Sequence, residues 1–241
     1  MDQERFLWAC AQVMEARPGA GGIGTLKEKT LHAALKLYLE PDPLCREVGV
    51  GRFVADIVNP QGIMEIQTGG FGRLREKLDF FLKAYPVTLV YPVAGVKWLI
   101  SVSQEGTMSQ KRKSPKPGGP WEILPELYRI RPLLGRPGLG FCVPVLEVEE
   151  YRLKDGRGRR GYTRYERMPV RLLDEVWALE PGESTRLLPP GLPEEFTAKD
   201  FCRWGRFSSM AGSLALSAAR ELGAVEQTGV KGRAYVYRTA K

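Results

Sequence analysis

The sequence predicts an α/β (α+β) fold with an α-β-β-β-α-β core and a mixed sheet, followed by a small winged helix-turn-helix module. Three observations predict it. Short apolar runs of strand character cluster between Leu44 and Val102, two of them joined by the turn chemistry of NPQG. Amphipathic stretches with helical spacing stand before and among them. The end of the chain changes to the order helix, turn, helix, hairpin, which is the order of a winged helix.

The first element is "DQERFLWACAQVMEA", where Phe6, Leu7, Cys10, Val13 and Met14 keep helical spacing up to Arg17-Pro18. "GAGGIG" follows and fits G-x-G-x-x-G, but a helix precedes it where a dinucleotide loop needs a strand, so it reads as a hinge. Thr25 then caps a second helix, with Glu28 in the capping-box position, running to about Leu39 before Pro41 and Pro43. "LCREVGV", "RFVADIV" and "GIMEIQT" are three short strands. "FGRLREKLDFFLKAY" sets Leu74, Leu78, Phe81 and Leu82 on one helical face, and "VTLVYPV" and "VKWLISV" are two further strands.

Composition then shifts through the Pro/Gly-rich "SQKRKSPKPGGP" and "RPLLGRPGLG". "FCVPVLEVEEYRL" reads as a strand, "KDGRGRRGYTRYER" as an exposed basic tip or loop, "VRLLDEVWALE" as a short helix and "LLPPGLPEE" as a linker. "TAKDFCRW" and "SSMAGSLALSAARELG" are the two helices of the last module, and "AVEQTGVKGRAYVYR" is its hairpin. The expected division is a first domain over 1–135 with its core at about 25–102, a basic connecting region over 136–190, and a winged-helix domain over 191–241.

Charge narrows the partners. The net charge is +8, with eight basic residues from Arg152 to Arg171 against Asp155 and Glu166, and eight from Phe196 to Lys241 against three acids. Such gathering points to a polyanion, with a solvated surface as the plain alternative. Cys10, Cys45, Cys142 and Cys202 are scattered, and His32 is the single histidine, which removes zinc fingers and most Cys- or His-centred catalysis. Isolated cysteines fit a reducing compartment. The polar N-terminus is no signal peptide, and the most apolar window is broken by Pro92 and Lys97, so the expectation is a cytoplasmic protein with no membrane partner.

Two carboxylates interrupt the apolar strands. Period-two geometry sets Val54, Asp56 and Val58 on one face, and Ile63, Glu65 and Gln67 on one face of the next strand. The short turn makes these strands antiparallel neighbours, so Asp56 can meet Glu65 across the ladder. Like charges that close need a proton or cation to relieve them, and a hard divalent ion such as Mg2+ or Mn2+ would do so. Glu28 is the plausible third acid, and Gln67 an amide to orient water or contact a phosphate. The bland alternatives are an edge-strand charge for Asp56 or Glu65 and a simple cap for Glu28.

A helical Glu, then D-x8-E-x-Q over a strand-turn-strand, then a helix and a strand, resembles the PD-(D/E)xK (restriction-endonuclease-like) nuclease superfamily over roughly residues 25–100. The resemblance implies a metal-dependent phosphodiesterase with Glu28 as the helix acid and Asp56 and Glu65 as metal ligands. Gln67 stands where that superfamily usually has Lys. The last 43 or so residues resemble the winged-helix family, in which the second helix enters the major groove and the wing tip meets phosphate. That resemblance implies DNA contact through Arg206, Ser208, Ser209 and Ser213 at the helix start, and Lys231 and Arg233 at the wing. The expectation is therefore a nuclease-like DNA-binding protein, with a homodimer left open. The alternatives are a catalytically inactive DNA-binding member and a transcriptional regulator.

Overall fold

The computed structural model describes residues 1–16, 30–159 and 161–240. The segment that holds GAGGIG, Thr25 and Glu28 lies outside the described residues, so the structure says nothing of those three expectations. Helices α1 (Gln3–Glu15) and α2 (Thr30–Leu39) precede strands β1 (Arg46–Val50), β2 (Phe53–Asn59) and β3 (Gly62–Ile66). Helix α3 (Arg75–Phe81) leads to β4 (Val87–Val90), β5 (Val93–Val102) and β6 (Arg112–Lys113). Helix α4 (Leu124–Leu127) is a single turn continued by 3-10 turns on both sides, and the long strands β7 (Leu139–Arg159) and β8 (Tyr162–Ala178) follow. The chain closes with β9 (Phe196–Thr197), α5 (Ala198–Gly205), α6 (Ser209–Glu221), β10 (Val225–Lys231) and β11 (Ala234–Thr239). From α2 to β4 the order is α-β-β-β-α-β, as the sequence predicts, and the fold is α+β with a mixed sheet.

The chain forms two compact units, each assembled from three separated segments. One comprises Met1–Arg46, Ala94–Gly118 and Val145–Asp174; the other comprises Glu47–Val93, Gly119–Pro144 and Glu175–Lys241. The division along the chain at 135 and 190 follows breaks in composition, whereas these units follow packing.

In the second unit the sheet runs β1-β2-β3-β4-β7. β2 and β3 are antiparallel, with Ile57 opposite Met64 and Val58 opposite Ile63, while β3 with β4 and β4 with β7 are parallel. Gly62 sets the turn into β3. Its φ is +120°, and an added Cβ would lie 2.4 Å from the Pro86 carbonyl oxygen, so only glycine suits this position. Helix α3 buries Leu78 and Phe81 completely, in a core shared with Ala55, Ile63, Leu89 and Phe141. Removing such side chains from water is the main force holding the unit together.

The C-terminal module joins the same core through Phe201, Ala215, Ala219 and Tyr237. Thr197 and Asp200 form a reciprocal capping box on α5, and Ser208 caps α6. The two helices meet closely at Gly212, where a Cβ would fall 2.1 Å from Cys202 Sγ. β10 and β11 form the expected hairpin, and β9 adds to the far side of β11. A third helix comes from much earlier in the chain: α4 packs against α6, and Trp121 Nε1 donates to the Gly205 carbonyl oxygen at 3.1 Å.

In the first unit α1 packs on α2, with Phe6 edge-on to Tyr38 at 5.4 Å between ring centroids. β7 lies between β5 and β8 there, and β5 also pairs with β6. One expectation is corrected in this region. "VRLLDEVWALE" is strand, not helix: it forms the end of β8, paired with β7, and the backbone bonds of that long ladder override a helical spacing of apolar residues. "KDGRGRRGYTRYER" is the exposed tip of the two readings rather than the loop, with β7 running through it to Arg159 and β8 starting at Tyr162.

Within this unit Glu150 is a buried carboxylate on β7 with a 3% exposed side chain. Arg167 Nε lies at 3.0 Å, Arg152 Nε at 2.7 Å and Lys97 Nζ at 3.7 Å. Burial alone would raise its pKa, but the three cations outweigh burial and hold it at about 2.

Candidate functional site

The β2–β3 ladder ends at Ile57 opposite Met64, and the next residues outward, Asp56 and Glu65, meet through side-chain bonds. The two residues are locked by reciprocal bonds. The Asp56 backbone N–H donates to Glu65 Oε1 at 3.2 Å, and the Ile66 N–H donates to Asp56 Oδ2 at 2.8 Å. Side-chain oxygens thus take over from backbone carbonyls where the hairpin reaches its open end. Glu65 is only 2% exposed, and Asp56 is half-buried.

A residue not expected from the sequence completes the arrangement. Lys77, on α3, donates from Nζ to Glu65 Oε2 at 2.5 Å and lies 5.6 Å from the centroid of the Phe81 ring. The signal for it was present: Lys77 falls on the same stripe of α3 as Leu74, Leu78 and Phe81. A lysine there must find an acid, because an unpaired buried ammonium is costly. Burial, and then the Asp56 charge, push the Glu65 carboxyl up; Lys77 and the Asp56 N–H act against them.

Gln67 lies one residue beyond the end of β3, half-buried, with its N–H donating to the Val90 carbonyl oxygen at 2.8 Å. The structure therefore places its backbone beside Glu65, but after the strand rather than in it. Glu126 closes the next loop by accepting from Gly70 N–H at 2.9 Å and Phe71 N–H at 3.3 Å. Beyond that loop Arg73, Arg75 and Arg136, with Glu76 and Asp79, line an open cleft of about 530 Å3.

Among the described residues, no group of three His, Cys, Asp or Glu side chains is placed to hold a metal ion. Asp56 and Glu65 are thus a two-carboxylate set. Each oxygen that already accepts one bond has a second lone pair, and the pair are hard donors beside one another in a partly buried place. That donor set fits Mg2+ or Mn2+, ions that bind through one or two carboxylates and keep several waters.

In the C-terminal module the expected DNA-contacting residues are all exposed. Arg206 ends α5 in the left-handed conformation, at φ +52°. Ser208 accepts the Ala211 N–H at 3.3 Å, and Ser213 Oγ donates to the Ser209 carbonyl oxygen at 3.0 Å, so both hydroxyls are engaged with the backbone of α6. Lys231 and Arg233 stand at the hairpin end, where Lys231 pairs with Ala234.

Residues 29–178 match a family described as a domain of unknown function, DUF8091. The chain belongs to that family. An uncharacterized protein of Treponema pallidum (strain Nichols) is 33% identical over 221 residues, covering 90% of this chain and 87% of that protein. No solved structure matches. The DUF8091 match includes Asp56, Glu65, Gln67 and Lys77, and ends before the C-terminal helices. No helix among the described residues is long and apolar enough to cross a membrane.

Proposed function

We propose that this chain is a metal-dependent DNA endonuclease-like phosphodiesterase of the PD-(D/E)xK type, with DNA binding by its C-terminal module. One observation carries the reading: Asp56 and Glu65 lie face to face on adjacent strands, with Lys77 on the second carboxylate. Like charges locked side by side in a partly buried place suit a cation better than they suit a core. Asp56 and Glu65 would hold Mg2+ or Mn2+, which when bound lowers the pKa of a water and offsets charge on a phosphate.

The chain's own groups supply the rest. Lys77 orients Glu65, works against the burial and the Asp56 charge that raise its carboxyl, and sets a positive charge on the E-x-Q motif in which Gln67 replaces the superfamily's usual lysine. Gln67 orients water or a phosphate oxygen, and Glu28 adds a third acid. Arg73 and Arg75 offer phosphate contacts along the open cleft. Arg206, Ser208, Ser209, Ser213, Lys231 and Arg233 bind the duplex away from the reacting bond. The setting is the cytoplasm, in repair, recombination or defence against foreign DNA.

A second reading, a non-catalytic DNA-binding protein with the same fold, is favoured by one feature. The three bonds to Asp56 and Glu65 already stabilise the pair as a structural clamp. Cleavage of branched, single-stranded and double-stranded DNA with Mn2+ separates the two. The nuclease reading expects Asp56→Ala and Glu65→Ala each to cut at least about a hundredfold more slowly, as loss of a metal's charge stabilisation implies. Equal cutting by all three proteins, or none by the wild type, defeats it.

A further inference from the structure

The two longest strands of the chain run on past the packed part of the first unit as a two-stranded arm. From Lys154 to Tyr165 no described residue is buried, so this length of β7 and β8 has no core of its own, and the loop of Ser103, Gln104 and Glu105 only borders it across an open cleft. Its turn is built by glycine. Gly158 has φ +64°, with the position of a Cβ only 2.4 Å from the Tyr162 carbonyl oxygen, and the Gly156 N–H donates to the Gly161 carbonyl oxygen at 3.2 Å. A ribbon this exposed gains little from burial, and its residues are not the apolar alternation that would favour stacking on another sheet.

Its charge is one-sided. Lys154, Arg157, Arg159, Arg160 and Arg164 face a single acid, Asp155, between residues 154 and 165. Asp155 accepts the Arg157 backbone N–H at 2.9 Å, so that carboxylate serves the turn. The base of the arm is fixed separately: Arg152 on one strand and Arg167 on the other both bind the buried Glu150, with Lys97 from β5. The cations of the base thus hold the arm, while Lys154 and Arg157 on β7 and Arg164 on β8 are exposed.

We infer that the β7–β8 arm, from Lys154 to Tyr165, is a DNA-binding arm that lies along the groove of a duplex. A two-stranded ribbon fits a major groove about 12 Å wide, and cations carried on both strands match the phosphates of its two walls. The choice of DNA rests on the proposed nuclease reading; the existence of a polyanion-binding arm does not.

The test uses the full chain and a labelled DNA duplex, with affinity read by fluorescence anisotropy from 50 to 300 mM salt. Loss of two phosphate contacts in the double variant Lys154→Gln, Arg157→Gln should weaken binding roughly tenfold or more at 0.1 M salt and make the log–log salt dependence shallower by about 2. The charge-keeping variant Lys154→Arg, Arg157→Lys should retain both, and circular dichroism should show all of these chains folded. Asp56→Ala should keep the arm's share of binding whether or not it abolishes cleavage, which separates failure of the arm from failure of the nuclease reading. Unchanged duplex affinity and salt dependence in the double Gln variant overturns the inference. So does a loss confined to single-stranded DNA, to RNA or to anionic vesicles.

Discussion

Replacing Glu150 by Gln keeps the size of the side chain and removes its charge from among Lys97, Arg152 and Arg167. The distance between about 2 and the ordinary 4.5 of a glutamate corresponds to roughly 3 kcal/mol of stability at neutral pH. Three cations left facing one another add to the loss, in line with the ~3–5 kcal/mol seen when one partner of a buried ion pair is removed. At about 2–4 °C per kcal/mol for a chain of this size, the midpoint should fall by roughly 6–20 °C at pH 7. The pH dependence is the sharper part. A depressed carboxylate contributes stability that is whole above 4.5 and is lost as pH falls through about 2. Thermal melts of wild type and Glu150→Gln from pH 7 to pH 2.5 should therefore show a gap that is constant down to about pH 5 and then closes. A gap that stays the same across that range, or that is absent at pH 7, would refute the account of Glu150 as a charge-held keystone.

Two further outcomes test the site and the C-terminal module. Burial and Asp56 raise the Glu65 carboxyl, so this group favours its protonated form: its contribution is whole at low pH and is lost as pH rises through the folded value. Carboxyl-carbon NMR titration should accordingly find the Glu65 pKa lowered in Asp56→Asn and raised in Lys77→Met, and an unmoved titration in both would dissolve the coupling. Gly212→Ala should cost about 1–3 kcal/mol by driving a methyl into Cys202, seen as a lower urea midpoint, while the exposed Ser213→Ala stays within about 0.5 kcal/mol of wild type.

What could be read from the sequence was what local rules determine. A two-residue turn between β2 and β3 fixes register, and that register, carried one residue past Ile57 and Met64, points Asp56 at Glu65. The capping residues Thr197, Asp200 and Ser208 likewise announce α5 and α6 before any packing is known. The end of β8 misled because Val170, Leu173 and Val176 recur every third residue, as they would in a helix, and only pairing with β7 decides between the two. The arrival of Lys77 at Glu65 depends on how α3 packs on the sheet. The same is true of α4, a four-residue turn whose partner α6 begins more than eighty residues later, so neither spacing nor propensity could join them.

The core of the second unit draws on residues from Ala55 to Tyr237. During synthesis the chain is made from its N-terminus, so β2, β3 and α3 leave the ribosome long before β11 exists to cover their neighbours. Phe71, Leu78 and Phe81 share one core with residues such as Tyr237, more than 150 positions further on, and such distant closures are slow. The arrangement that lends α4 to the C-terminal helices thus also sets a long interval in which this half of the protein is open to chaperones, to proteases and to pairing with other chains.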